Sequence, residues 1–197
     1  IVCGNPIPIN SPKFMVGKLV QLLWSFHSYV FAELNDAGLA RHATEIFIIR
    51  KGIVKRIPSE TVNDDAFIAV TAKKKRWLIK FEPKSRVLIC GPATLSEYFQ
   101  QRRRIMYGHY QVKKLTGDPP QHLMYLMPCY PLKAMKLGMV LIKEHSIPAV
   151  IAFLLTEFAA NAAATIDVFL KKSHSKWNAL PSTKQLIIEP MKNAKLP

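Results

Sequence analysis

Acidic residues are scarce in this chain, and cysteines are scarcer. Among 197 residues there are 13 Asp and Glu against 28 Lys and Arg, a formal charge of +15. So large an excess points to an anionic partner, and nucleic acid, an anionic membrane surface or a phosphorylated substrate all meet that description. The three cysteines, Cys3, Cys90 and Cys129, are far apart and odd in number. That excludes a disulfide framework and offers no zinc-ligand spacing, and it fits reduced thiols in a cytosol-facing protein. No internal repeat is present. The chain opens without Met on IVCGNPIPIN, an apolar run into a Pro/Asn turn, and carries no signal-peptide pattern. It reads as the interior of a longer protein. With 49% apolar residues, disorder is excluded as the default and the length suffices for one core.

What is present alternates between helical and strand patterns. Residues 14–35 place Phe14, Leu19, Leu22, Leu23, Phe26 and Val30 near one helical face, with Asn35, Asp36 and Gly38 as the stop. His27 lies inside this run and reads as a buried structural histidine. The β-branched run at 45–50 predicts a buried strand. Past Lys51, Gly52 and the Ile57–Pro58 step, a helix is expected with Asp64 and Asp65 near its first turn, where the helix dipole favours carboxylates. Strands follow at 77–81 and 86–90, separated by Pro83. This alternation predicts an α/β fold.

Residues 94–115 read as one long helix, opened by a Thr94/Glu97 capping box and closed by Gly117 and the Pro119–Pro120 pair. Its three consecutive arginines, Arg102 to Arg104, fan over roughly 200° at about 100° per residue, so they cannot share one solvated stripe. Arginine is suited to bidentate capture of phosphate oxygens. Beyond residue 118 the composition shifts. Residues 121–143 are rich in Met and Leu with scattered Lys. Residues 147–170 are apolar apart from Glu157 and Asp167, and are followed by Lys171 and Lys172. The length suits a bilayer span, but two acids inside a span are costly. A helix lying in the interface or packed in a bundle fits the same run. A polar tail through WNALPSTKQL ends the chain.

The order of these features resembles the family 2 glycosyltransferases, in particular the cellulose, hyaluronan and poly-N-acetylglucosamine synthase group. An acidic pair follows a Pro-containing connection (IPSETVNDD). A basic strand–Pro–strand unit comes next, and then the arginine helix QRRRIMYGHYQ. The family's Thr/Glu-Asp motif falls on Asn63, Asp64 and Asp65. Its Gln-x-x-Arg falls on Gln101 and Arg104, its downstream Gly on Gly108 and its Gln on Gln111. Ile105 stands at the motif's Trp, the residue that cradles the acceptor sugar in processive synthases, and this counts against processive synthesis. The resemblance covers residues 45–115.

This resemblance implies a GT-A-like domain at 1–118 that lacks its N-terminal donor-binding strands, followed at 119–197 by membrane-proximal apolar and amphipathic helices. It implies inverting transfer of a sugar from a nucleotide-sugar donor to a lipid or polysaccharide acceptor. Asp65 would be the base and Asp64 a supporting acid. Arg104 would meet the leaving diphosphate, with Gln101 hydrogen-bonding acceptor or diphosphate and Arg103 and His109 as secondary contacts. The family's Asp-x-Asp, which holds Mg²⁺ or Mn²⁺, does not occur here, so the metal's ligands would lie outside this chain and the chain alone would be inactive. A cytoplasm-facing, membrane-associated enzyme is implied, and no nucleic acid is expected. Two rivals remain. A basic nucleic-acid-binding module would draw on the KKKR run at 73–76 and the arginine triplet, although no recognised binding motif is present. A non-catalytic membrane anchor would draw on residues 147–170.

Overall fold

The computed structural model describes residues 1–174 and 181–184. The fold is mixed α/β, with a small three-stranded sheet and six helices among the described residues. In chain order these are β1 (Val2–Pro8), α1 (Met15–Asp36), β2 (Phe47–Ile48), α2 (Asp64–Lys74), β3 (Lys80–Ile89), α3 (Leu95–Thr116), α4 (Leu123–Cys129), α5 (Pro131–Glu144) and α6 (Ile147–Phe169). A single 3-10 turn follows at Pro181–Lys184. Apart from that turn, the polar tail lies outside the described residues.

The sheet order is β2-β1-β3. The opening apolar run is therefore the central strand rather than only the approach to a turn. It pairs antiparallel with β2 at Val2–Ile48 and Cys3–Phe47, and parallel with β3 as far as Pro8–Ile89. Proline is unusual in such a place because it has no N–H to give, and the register shows why Pro6 and Pro8 are tolerated. The Gly4 N–H bonds the Ile46 carbonyl on the β2 side, whereas the Ile9 N–H bonds Ile89 on the β3 side. With a repeat of two, positions 6 and 8 aim their nitrogens toward the β2 side. There β2 has already ended, so no hydrogen bond is lost.

Two strand expectations are corrected. The run at 45–50 contributes only Phe47 and Ile48, and it is not buried: Ile48 is 77% exposed, because β2 is an edge strand. The two strands expected either side of Pro83 form one element. Only Lys80–Phe81 and Arg86–Ile89 pair with β1, and residues 82–85 bulge out of the ladder between them.

Helix α1 buries Leu19, Leu22, Leu23, Phe26 and Val30, while Phe14 stands just outside the helix and is exposed. Helix α3 opens on the capping box. The Thr94 hydroxyl accepts from the Glu97 N–H at 3.2 Å, and the Glu97 carboxylate accepts from the Ala93 N–H at 3.3 Å. It closes on Gly117, whose left-handed φ of 82° a side chain would strain. The largest core joins Leu19, Leu22 and Phe26 of α1 and Tyr98 of α3 to Leu126, Leu137, Leu141, Val150 and Phe153 of the last three helices. Residues on both sides of position 118 thus share one core.

Helix α6 is long and apolar enough to cross a membrane. Its inward stripe is Val150, Phe153, Glu157, Ala160, Ala164 and Asp167, at helical spacing. Both acids are spent on α3. Glu157 receives Arg102 through two bonds of 2.7 and 2.8 Å, and Asp167 receives Arg103 through two bonds of 2.6 Å. The costly acids of the apolar run are therefore its attachment points to the rest of the fold.

Candidate functional site

The residues before α2 and the middle of α3 are bound to each other through several hydrogen bonds. The Gln111 side chain accepts from the Val62 N–H and donates to the Glu60 carbonyl, both at 2.9 Å. Arg104 donates to the Val62 carbonyl at 3.3 Å. Asn63 stands at the N-cap of α2 without capping it, and its amide donates instead to the Ile105 carbonyl at 2.8 Å. This close approach requires Gly108. A Cβ built there would come within 2.5 Å of the Asn63 side chain. Positions 101, 104, 108 and 111 recur at helical spacing on one face of α3, and three of the four hold or accommodate the segment that ends in the acidic pair.

Asp64 and Asp65 form the first turn of α2, with Lys73 and Lys74 in its last turn. Each end carries the charge its dipole favours. The Asp64 carboxylate accepts from the Asp65 N–H at 3.0 Å, and the Asp65 carboxylate from the Ala66 N–H at 2.7 Å. Beside them is an open cleft of about 660 Å³ lined by Ile57, Pro58, Ser59, Thr61, Val62, Asp64 and Arg104. Burial lowers the pKa of the Arg104 guanidinium, and the charges of Asp64 and Asp65 oppose that shift. The Thr61 hydroxyl is buried and makes no hydrogen bond within the described residues. The cleft therefore presents a carboxylate and a guanidinium. That set can bind a hydroxyl-rich ligand and counter a developing negative charge.

The other expected site residues are placed differently. Gln101 is half-buried on α3, one turn before Arg104. Arg103 is committed to Asp167, which also faces Lys172 at 3.7 Å and His174 at 2.9 Å. His109 is buried beside His122 and His42, with ring centroids 5.0 and 5.6 Å away. Burial, and then the neighbouring histidines and Arg102, lower its pKa well below the usual histidine range. Asp65, Gln101, Arg103 and His109 do not line the cleft. His27 continues this chain of rings, 6.5 Å from His42 and 5.2 Å from Trp24. The sequence reading missed the four-histidine cluster, whose members come from α1, α3 and the two loops around residues 42 and 122. It also missed Ser59 and Thr61, for which the Pro58 turn is the only local signal.

The run at 73–76 bonds backbone carbonyls from the surface, where Lys74, Lys75 and Arg76 are exposed. Lys73 and Lys74 bond the carbonyls of Gly38 and Thr116, and Lys75 bonds that of Ile53 at 2.6 Å. Among the described residues no group of three or more His, Cys, Asp or Glu side chains is arranged to hold a metal ion. No protein-family model matches the sequence, and no curated protein matches it.

Proposed function

We propose that this chain is the acceptor-side portion of an inverting family 2-type glycosyltransferase, a partial GT-A-like domain that works at a membrane facing the cytoplasm. It would move a sugar from a nucleotide-sugar donor to a lipid or polysaccharide acceptor. The observation that carries this reading is the cleft where Asp64 and Arg104 meet, with the intervening backbone fixed by Gln111 and Arg104 itself. Of the residues that carry the family resemblance, Asp64 and Arg104 line this cleft, and Asn63, Gly108 and Gln111 lie where α3 meets the segment before α2.

In the proposed reaction the acceptor hydroxyl gives its proton to the carboxylate of Asp65, the sequence neighbour of the cleft-lining Asp64, as its oxygen attacks the anomeric carbon of the donor. The bond from that carbon to the diphosphate oxygen breaks on the opposite face, which inverts the configuration. The electron pair leaves with the nucleoside diphosphate, and Arg104 stabilises the growing charge. Asp64 orients the acceptor. Gln101, one turn along α3, would contact acceptor or diphosphate. In this reading the nucleotide pocket and its Mg²⁺ or Mn²⁺ ligands would be supplied by residues other than those of this chain. The pairing of Arg102 and Arg103 with acids of α6 takes two of the arginine triplet's charges from a nucleic-acid-binding module, which would need them free at the surface.

The test is nucleoside diphosphate release by the full-length open reading frame, assayed with a panel of nucleotide sugars and a divalent metal. Asp65→Asn and Arg104→Ala should each lower turnover by about a hundredfold or more while the melting curve stays in place. Release that is indifferent to both substitutions, or absent with every donor, would refute the assignment. Steeply salt-dependent RNA binding would then bring the basic module forward.

A further inference from the structure

Between α1, α4, α5 and α6 lies a second cavity, of about 360 Å³. That is within the range of ligand sites. Its walls include Phe26, Leu126, Leu141, Val150 and Phe153, and every lining residue is apolar. Sites for small metabolites carry a few convergent polar groups that fix orientation. A wall with no polar side chain suits a ligand segment that has no polar atom.

Gly138 lies on the face of α5 that lines this space, between Ala134 and Leu141. A Cβ added there would meet nothing within 4 Å. Glycine in a helix interior costs stability relative to alanine, and here no close neighbour requires it. What the missing side chain does is keep the cavity open.

The mouth indicates the source of the ligand. Met135 lines the cavity and is also 60% exposed. Around it, α5 exposes Leu132, Met139 and Ile142, and α6 exposes Ile151 and Leu155. These side chains belong to stripes at helical spacing, and so wide an apolar surface marks an interaction face. Lys143 is exposed on α5 and Lys171 directly follows α6, while the exposed Lys136 and Lys172 also face Glu33 and Asp167. Lysines beside an apolar face complement an anionic lipid surface.

We propose that this cavity binds one hydrocarbon chain of an anionic membrane lipid, drawn from a bilayer on which the outer faces of α5 and α6 rest. The site is separate from the Asp64–Arg104 cleft and does not depend on sugar transfer, so its test uses no nucleotide sugar. The probe is cis-parinaric acid, whose fluorescence rises in an apolar site. It is offered to the full chain first as the free acid, then esterified in phosphatidylglycerol within phosphatidylcholine vesicles. Both forms should bind saturably, one chain per protein. Gly138→Leu, which places a side chain in the cavity, should weaken both by about tenfold or more, with the melting temperature retained. If Gly138→Leu lowers the melting temperature, Ala134→Leu fills the same space and serves in its place. Absence of saturable binding, or affinity unchanged by filling the cavity, would overturn the site. Binding of the free acid but not of the esterified chain would overturn the bilayer as its source.

Discussion

The Arg102–Glu157 pair joins α3 to α6, and the cost of breaking it tests the fold. Their side chains are 4% and 1% exposed, and two hydrogen bonds of 2.7 and 2.8 Å connect them. Both charges have lost their water. Glu157→Gln would leave a buried guanidinium without its counter-charge, and Arg102→Met would leave a buried carboxylate, each costing about 3–5 kcal/mol. In a chain of this size 1 kcal/mol moves the melting temperature by about 2–4 °C, so either change should lower it by roughly 10 °C. The double replacement Arg102→Met with Glu157→Leu removes both charges and keeps apolar volume. It should return to within about 2 kcal/mol of the parent. Urea unfolding of the parent, the two single variants and the double gives the coupling directly. The neighbouring Arg103→Gln should cost only about 1 kcal/mol, because Arg103 is 32% exposed and Asp167 keeps Lys172 and His174. Single variants that each cost under about 1 kcal/mol, or a double whose loss equals their sum, would show that α6 is not docked on α3. The reasoning about the last helix would then fail.

Gly108→Ala should force a Cβ to within 2.5 Å of Asn63 and break the Asn63–Ile105 bond, costing about 1–3 kcal/mol in urea unfolding. A change under about 0.5 kcal/mol would show that α2 and α3 do not meet there. A pH dependence follows from His122, whose pKa burial pushes down to about 4, with Arg102, His42 and Lys113 adding to the shift. The unfolded imidazole takes a proton near pH 6.5, and the folded one resists until about 4. Its contribution to stability is thus complete above pH 6.5 and is lost as pH falls between those values, about 3 kcal/mol in all. Half-buried His27 and buried His109 act in the same direction. His122→Asn should flatten the slope of unfolding free energy between pH 7 and 4.5, and an unchanged slope would remove the residue from the account.

Local chemistry made the helices legible. Helices α1, α2, α3 and α6 follow from apolar spacing, the acidic first turn, the Thr94/Glu97 box and the glycine stops. The sheet was harder to read, because its central strand is a short opening segment with two prolines. Only the pairing partners reveal that those nitrogens face an edge where β2 has ended. The bulge at 82–85 was half legible: Pro83 marked the interruption, but a ladder that resumes beyond it depends on β1, far away in sequence. The cleft was legible in part. The acids and Arg104 were found by their order, while the bonds from Gln111 and Arg104 to Val62 are tertiary facts that no spacing announces.

The arginine triplet shows where such reading stops, and why. Three adjacent cations on a helix must point three ways, and each buried one needs its own compensation. On the other side, Glu157 and Asp167 stood as two costly acids in an apolar helix. Neither feature is explained alone. Taken together each resolves the other, because 157 and 167 lie on one face of α6 and that face meets α3. A local reading cannot make the match, since the partners are separated by 55 and 64 positions. The pairing also decides which arginine is placed for chemistry. Once Arg102 and Arg103 are fixed to α6, it is Arg104 whose guanidinium lines the cleft beside Asp64. Any loss of function from Arg102 or Arg103 variants should therefore track loss of folding, whereas loss from Arg104 should not.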